Sequence, residues 1–392
     1  MRAWILSGAS FLSCFLLCSA ANAAEKEIPQ QLLKTEELLN VVVVSRHGVR
    51  SPTQSDKTLK SWSERPWPKW PVEKGYLTPR GFYLVKETWE LNRRQAPFTY
   101  GTCPNPNEVE IIADVDERTQ ETAAALNEGL YPGCGYKVKV TSSEHSAIFS
   151  PLKAKVCTVE NPASLEEKLT AKGADFDRLY APEIAKISRL TGRSLEGKLR
   201  AKVSKHKVGF KGAAYSGSSM TEIFALEWGQ FPKQKAAWNE LDWEGILSLM
   251  PLRVGVFSAL NRDMEVARYK GSALASKVLQ SLSDGPKYTF LIGHDTNLAN
   301  LGELFDLNWQ LPGRDKNENT PGGYLTFEKW RVGGTEEIRV YYSALSPAQI
   351  HAERVTEPAV SVEILPRGTK FDEWKRVHTR RLKNACIKDD IY

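Results

Sequence analysis

The sequence is marked first by what it has little of. It carries no internal repeat and no low-complexity tract. Beyond its N-terminal segment it has no apolar run approaching a membrane span, which argues against a membrane protein. It has no block of lysine and arginine: the positive charges are scattered, as on solvated faces, which argues against nucleic-acid binding. Cysteine is sparse, six in 392 residues, and two of these (Cys14 and Cys18) fall in the first 23. No pair among the rest has zinc-ligand spacing, so neither a metal nor another cofactor is expected. His145, His206, His351 and His378 also lack metal-like spacing, and surface positions are expected for them.

The N-terminal segment is a separate object. Arg2 supplies a positive start, Trp4 to Leu17 is mostly apolar, and Ala21-Asn22-Ala23 reads as a cleavage site. Residues 1–23 therefore read as a secretory signal peptide, and a periplasmic or secreted protein is expected. Removing them leaves a net charge of +5 and four cysteines, Cys103, Cys134, Cys157 and Cys386. In an exported chain four cysteines read as two disulfides, and spacing leaves three pairings open.

The remainder is ordinary globular sequence, 41% hydrophobic and 26% charged, enough for one large domain or two smaller ones. Leu39 to Ser45 is a continuous β-branched run, the pattern of a strand buried on both faces of a parallel sheet. Thr78-Pro79 reads as an N-cap and first helical residue, opening a helix to about Arg94. Val109–Asp114, Tyr136–Val140 and Tyr288–Ile292 read as further strands, with helices after Asp116-Glu117-Arg118-Thr119 to about Gly129 and over 264–282. Residues 324–330, 337–343 and 358–365 read as strands closing the sheet, and 161–252, rich in Leu, Lys, Glu and Ala, as a helical insertion. The expected fold is α/β, with a mostly parallel central sheet flanked by helices. The expected organisation is an α/β domain from 24–160 and 253–392 with a smaller α-helical domain over 161–252.

Three strand ends carry polar clusters, and ligands of open α/β sheets bind beyond the carboxyl ends of strands. Arg46-His47-Gly48-Val49-Arg50 follows the first strand, Arg118 the second, and Gly293-His294-Asp295-Thr296 the Tyr288 strand. Alone, an Arg-His-Gly triplet fits a surface loop equally well. Three such clusters together suit phosphoryl transfer, in which the protein must neutralise and position a multiply charged group. Arginine matches phosphate oxygens with two prongs. A neutral imidazole is a competent nucleophile, nearby guanidiniums disfavour its protonation, and Asp295 supplies an acid for the leaving group.

Read in order, Val44–Thr53, Leu77–Gly81, Ile111–Thr119, Met220–Phe224, Glu265–Arg268, Gly293–Leu301 and Thr320–Gly323 resemble the histidine acid phosphatases, above all their bacterial periplasmic phytases. The resemblance implies a phosphoglycerate-mutase-like fold with the site between an α/β and a helical domain. It implies His47 as phosphorylated nucleophile and Asp295 as proton donor. Arg46, Arg50, Arg118 and His294 would bind the phosphate, and Thr53, Asp114, Glu222 and Arg268 would line the substrate pocket. It also implies disulfides Cys103–Cys134 and Cys157–Cys386. The substrate would be a small phosphomonoester, phytate before a sugar phosphate, and a monomer is the default expectation.

There are departures. The helical region is shorter than in those phytases and lacks a disulfide. Gln54 stands where they carry a basic residue, and Ser219 where they carry a larger apolar one. Glucose-1-phosphatases of the family have Asn in place of Gly48 and Ser in place of Thr296, so those two residues favour the phytase reading. A protein that captures phosphorylated ligands without turnover is the alternative from another class, and a mere binder has no need of an acid such as Asp295 beside the anion.

Overall fold

The computed structural model describes residues 36–98 and 103–390; the signal-peptide segment lies outside the described residues. The described residues form nine strands: β1 (Glu36–Arg46), β2 (Val109–Ala113), β3 (Val138–Val140), β4 (Arg200–Ser204), β5 (Lys207–Lys211), β6 (Tyr288–Gly293), β7 (Tyr324–Val332), β8 (Thr335–Ala344) and β9 (Val360–Glu363). Seven make one sheet in the order β3-β2-β6-β1-β7-β8-β9. It is parallel from β3 to β1 and antiparallel from β1 to β9, so one half of a sheet expected to be mostly parallel carries its parallel pairs.

The valine run explains the layering. Val41 to Val44 are all buried, and successive side chains of a strand point to opposite faces. Val42 and Val44 pack into one core with the helices Met264–Asp284 and Asp295–Leu304. Val41 and Val43 pack into another with the helices Pro79–Asn92 and Glu117–Leu130. As expected, Thr78 caps its helix, accepting from the Gly81 N–H at 2.9 Å with Pro79 in the first turn.

A separate apolar cluster serves the segment after β3, joining Leu165, Leu169, Ile187, Phe224, Ile246 and Val256. Two features depart from expectation. The helix Met250–Asn261 runs through the boundary drawn between 252 and 253. The segment is also not wholly helical, because β4 and β5 form an antiparallel hairpin within it. Ala201, Val203, Val208 and Phe210 alternate with polar residues there, a period of two that a helix cannot use.

Cys103 is joined to Cys134 and Cys157 to Cys386. Two of the four histidines expected at the surface are not free there: His378 is buried, and His351 stacks on Trp228 at 3.6 Å between ring centroids. Trp67 and Trp70 pack on Phe224 and Phe231. Among the described residues no helix is long and apolar enough to cross a membrane.

Candidate active site

Register assembles the site. β1 and β6 run parallel with Arg46 beside Gly293, and β2 runs beside β6 with Ala113 opposite Ile292. The next residue of each strand is therefore His47, His294 and Asp114. The His47 N–H donates to the Gly293 carbonyl and the Asp114 N–H to the Ile292 carbonyl, both at 2.9 Å, which holds the three chain ends side by side. The two histidine rings lie 5.5 Å apart, centroid to centroid.

His47 is buried, and its Nδ1 sits 2.9 Å from the Gly48 carbonyl oxygen. A carbonyl only accepts, so Nδ1 carries the proton and Nε2 keeps its lone pair. Burial, reinforced by Arg46, Arg50, Arg118 and His294, holds the imidazole pKa well below its ordinary value. The loop can pack this closely because Gly48 and Gly81 lack side chains. A Cβ on Gly48 would lie 2.9 Å from Val85 Cγ2 and 3.0 Å from the Gly81 oxygen, and one on Gly81 would overlap the Val49 carbonyl.

Arg46 is buried and bonded to Glu222 and to the Asn319 carbonyl. Arg50 has no carboxylate partner among the described residues and donates only to the Ser51 carbonyl, at 2.9 Å. Burial, with Arg46 and Arg118 adding, brings its pKa down to about 10. Arg118 bonds Asp116 at 2.8 Å. Arg46, Arg50 and Arg118 each keep a buried Nε with no acceptor among the described residues, donors suited to an anion.

His294 Nε2 is 2.9 Å from Asp114 and 3.1 Å from Asp116. Burial disfavours its charge, but these two carboxylates outweigh it and raise the pKa, so His294 is the cationic histidine of the pair. The same three side chains offer ligand atoms within 4.8 Å of one another, a set a cation would also fit. Asp295 accepts from Arg253 at 2.9 Å and from the Thr296 N–H at 2.8 Å. Burial favours its neutral form, yet the charges of Arg46, Arg253, Arg50 and His294 prevail and hold it well below the usual carboxylate range.

Of the substrate-pocket residues named from the sequence, Thr53 stands at the mouth, Asp114 lies beneath His294, and Glu222 bridges Arg46 and Arg253. Arg268 does not join them. It is exposed, and its Nε donates to the Arg381 carbonyl at 2.6 Å. Two residues along a helix turn a side chain by about 200°, and the cation that enters the pocket is Lys270. Its Nζ donates to Asn261 at 2.7 Å, and burial pulls its pKa down to about 8. Arg253 was also missed: it sits in a largely apolar helix with no motif around it. Its Nε bonds Glu222 at 3.0 Å while Nη2 bonds Asp295, locking the two acids together. The site opens into two adjoining compartments of about 520 and 620 Å³ that share Arg50, Lys207, Tyr215, Lys270 and Asp295.

Phytase AppA of Escherichia coli is 33% identical over 366 residues, spanning 82% of each chain. A glucose-1-phosphatase of Salmonella typhimurium is 27% identical over 86% of this chain and 88% of its own. The apo form of a Hafnia alvei phytase superposes with a TM-score of 0.82 at 26% identity, over 90% of this chain and 98% of that one. The profile of the histidine phosphatase superfamily (branch 2) matches residues 37–343, all three clusters included, and with that match the chain belongs to this superfamily.

Proposed function

We propose that the protein is an exported acid phosphatase that hydrolyses phosphomonoesters through a phosphohistidine at His47, with phytate as its principal substrate. The observation that carries this reading is the neutral, buried His47 whose Nδ1 is occupied by the Gly48 carbonyl, ringed by Arg46, Arg50, Arg118 and a cationic His294.

In the first step Nε2 of His47 attacks phosphorus, the P–O ester bond breaks, and the alcohol leaves with a proton. In the second, water attacks phosphorus, the P–N bond breaks, and phosphate departs. The arginines and His294 neutralise the equatorial oxygens in both steps. Asp295 is ionised in the free protein, so its role as acid depends on the substrate. A phosphate dianion among the arginines offsets their charge and raises the pKa of the neighbouring carboxyl. Asp295 then protonates the leaving oxygen and takes a proton from water in the second step.

Phytate as substrate is supported by the phytases among the relatives and by a Hafnia alvei phytase solved with myo-inositol hexakis sulphate. Glucose-1-phosphatases of the family usually carry Asn in place of Gly48, where a side chain would crowd Val85 and the Gly81 carbonyl. Export is supported by the two disulfides.

Hydrolysis of a labelled phosphomonoester at about pH 5 in EDTA, quenched in alkali, tests the mechanism. Label should be trapped on residue 47, and His47→Ala should lose both the label and roughly 10⁴-fold or more of kcat. An alanine variant with near-normal turnover would refute it.

A further inference from the structure

The β4–β5 hairpin forms one wall of the compartment of about 520 Å³, and its charges are arranged at a cost. Its register places Arg200 opposite Lys211, Lys202 opposite Gly209 and Ser204 opposite Lys207. Directly opposed residues share a face. Ala201, Val203, Val208 and Phe210 therefore turn to the helical core, while Arg200, Lys202, Lys207 and Lys211 all stand on the other face. Like charges directly opposed, as Arg200 and Lys211 are, destabilise a sheet pair. Among the described residues no carboxylate lies within ion-pair distance of Lys202, Lys207 or Lys211, although many lysines elsewhere in the molecule have one. The acids nearest the reacting centre offer no relief, because Glu222 and Asp295 are tied to arginines and Asp116 to Arg118 and His294.

Lys202, Lys207 and Lys211 line the same compartment as Arg50 and Asp295, beside Val203, Val208 and Phe210 of the hairpin's other face. A Cβ added to Gly209 would meet nothing within 4 Å, so the space between these lysines is open. Lys207 also lines the second compartment, which holds His47 and the unpaired Lys153.

We propose that this hairpin face is a second anion subsite, a specificity determinant that holds the non-reacting phosphates of a polyanionic ester while one phosphate sits at His47. The sequence suggests why it is needed: Gln54, which lines the same compartment, is neutral where the resembling phytases carry a basic residue. The proposal rests on the phosphatase reading and names the part of the pocket that selects substrates.

The test is calorimetric titration with inositol hexakissulfate, paired with kcat/KM for p-nitrophenyl phosphate. In a Lys202→Ser/Lys211→Ser variant, affinity for the sulfate should fall roughly tenfold or more and lose much of its salt dependence. Turnover of the singly phosphorylated aryl ester should stay within about twofold, since neither lysine lines the compartment of His47. Unchanged sulfate affinity overturns the proposal. If the double variant loses aryl phosphatase activity as well, the exposed single changes Lys202→Ser and Lys211→Ser carry the same readout with the same two outcomes. Failure of the wild type to hydrolyse phytate would sink the substrate reading alone, because the sulfate titration does not depend on turnover.

Discussion

A histidine attacks phosphorus only while one ring nitrogen is bare, and at acid pH an ordinary imidazole is protonated on both. In the proposed mechanism His47 meets this by burial, by three guanidiniums and by a carbonyl that fixes the proton on Nδ1. The effect on rate has a definite sign. With the pKa held well below its usual value, the proposed nucleophile is retained as pH falls through the normal histidine range and is lost only below it. Asp295, the proposed acid, is the opposite case, charged when free and able to give a proton only once an anion has arrived. Asp295→Asn should therefore slow an alkyl phosphate by about 10²–10⁴-fold. It should slow p-nitrophenyl phosphate far less, because that leaving group departs without a proton. Equal losses on both, in steady-state assays at one pH, would remove Asp295 from the role of acid. At this scale the sequence was legible wherever residues sat in a motif: His47, Arg46, Arg50, Arg118, His294 and Asp295 all converge. Arg268 against Lys270 shows the limit. Arg268 ends the motif and Lys270 lies two residues beyond it, and only the helical phase, which a string of letters does not display, decides which side chain turns inward. Arg253 had no motif at all, and its importance arises from two acids brought in from distant helices.

Elements were legible where one force dominated. The Val41–Val44 run could only be a strand covered on both faces, and Thr78-Pro79 could only open a helix. The β4–β5 hairpin was missed because its alternation is short and set among lysines, which helices also favour, so composition masked the period. Helices carry hidden chemistry as well. On the helix Ala213–Gln230, Glu227 is buried with no cationic partner among the described residues and accepts from the Ala237 N–H at 2.7 Å. Burial pushes its pKa up to about 7. The folded protein thus keeps a proton that the unfolded chain releases above its ordinary carboxyl value. The resulting stability is complete below about pH 4.5 and is lost as pH rises towards 7, by about 3 kcal/mol. Glu227→Gln keeps the acceptor without the charge. Urea unfolding at pH 5 and pH 7.5 should show the variant gaining on the wild type at the higher pH. A constant difference between the two would mean that Glu227 stays ionised throughout.

For the molecule as a whole, the site depends on segments far apart in sequence staying together, and two covalent links of very unequal reach contribute. Cys103–Cys134 spans 31 residues beside the sheet edge, whereas Cys157–Cys386 spans 229 and ties the C-terminal segment to the start of the helical region. In the chain-entropy account a cross-link acts on the unfolded ensemble, and its effect grows with the logarithm of the loop it closes. The longer link should then stabilise by about 2 kcal/mol more than the shorter one. Environment adds in the same direction: Cys157 and Cys386 are both buried, so their loss also disturbs packing, while Cys103 is exposed. Paired alanine variants of each disulfide, compared by urea unfolding, should rank with Cys157/Cys386 as the costlier loss. The phosphohistidine chemistry should survive in both folded variants, because neither link touches the strand ends at His47 and His294. The reverse ranking would mean that the long loop is already held together in the unfolded chain, and that hydrophobic clustering, not the covalent tie, keeps the two ends of the sequence near each other before folding.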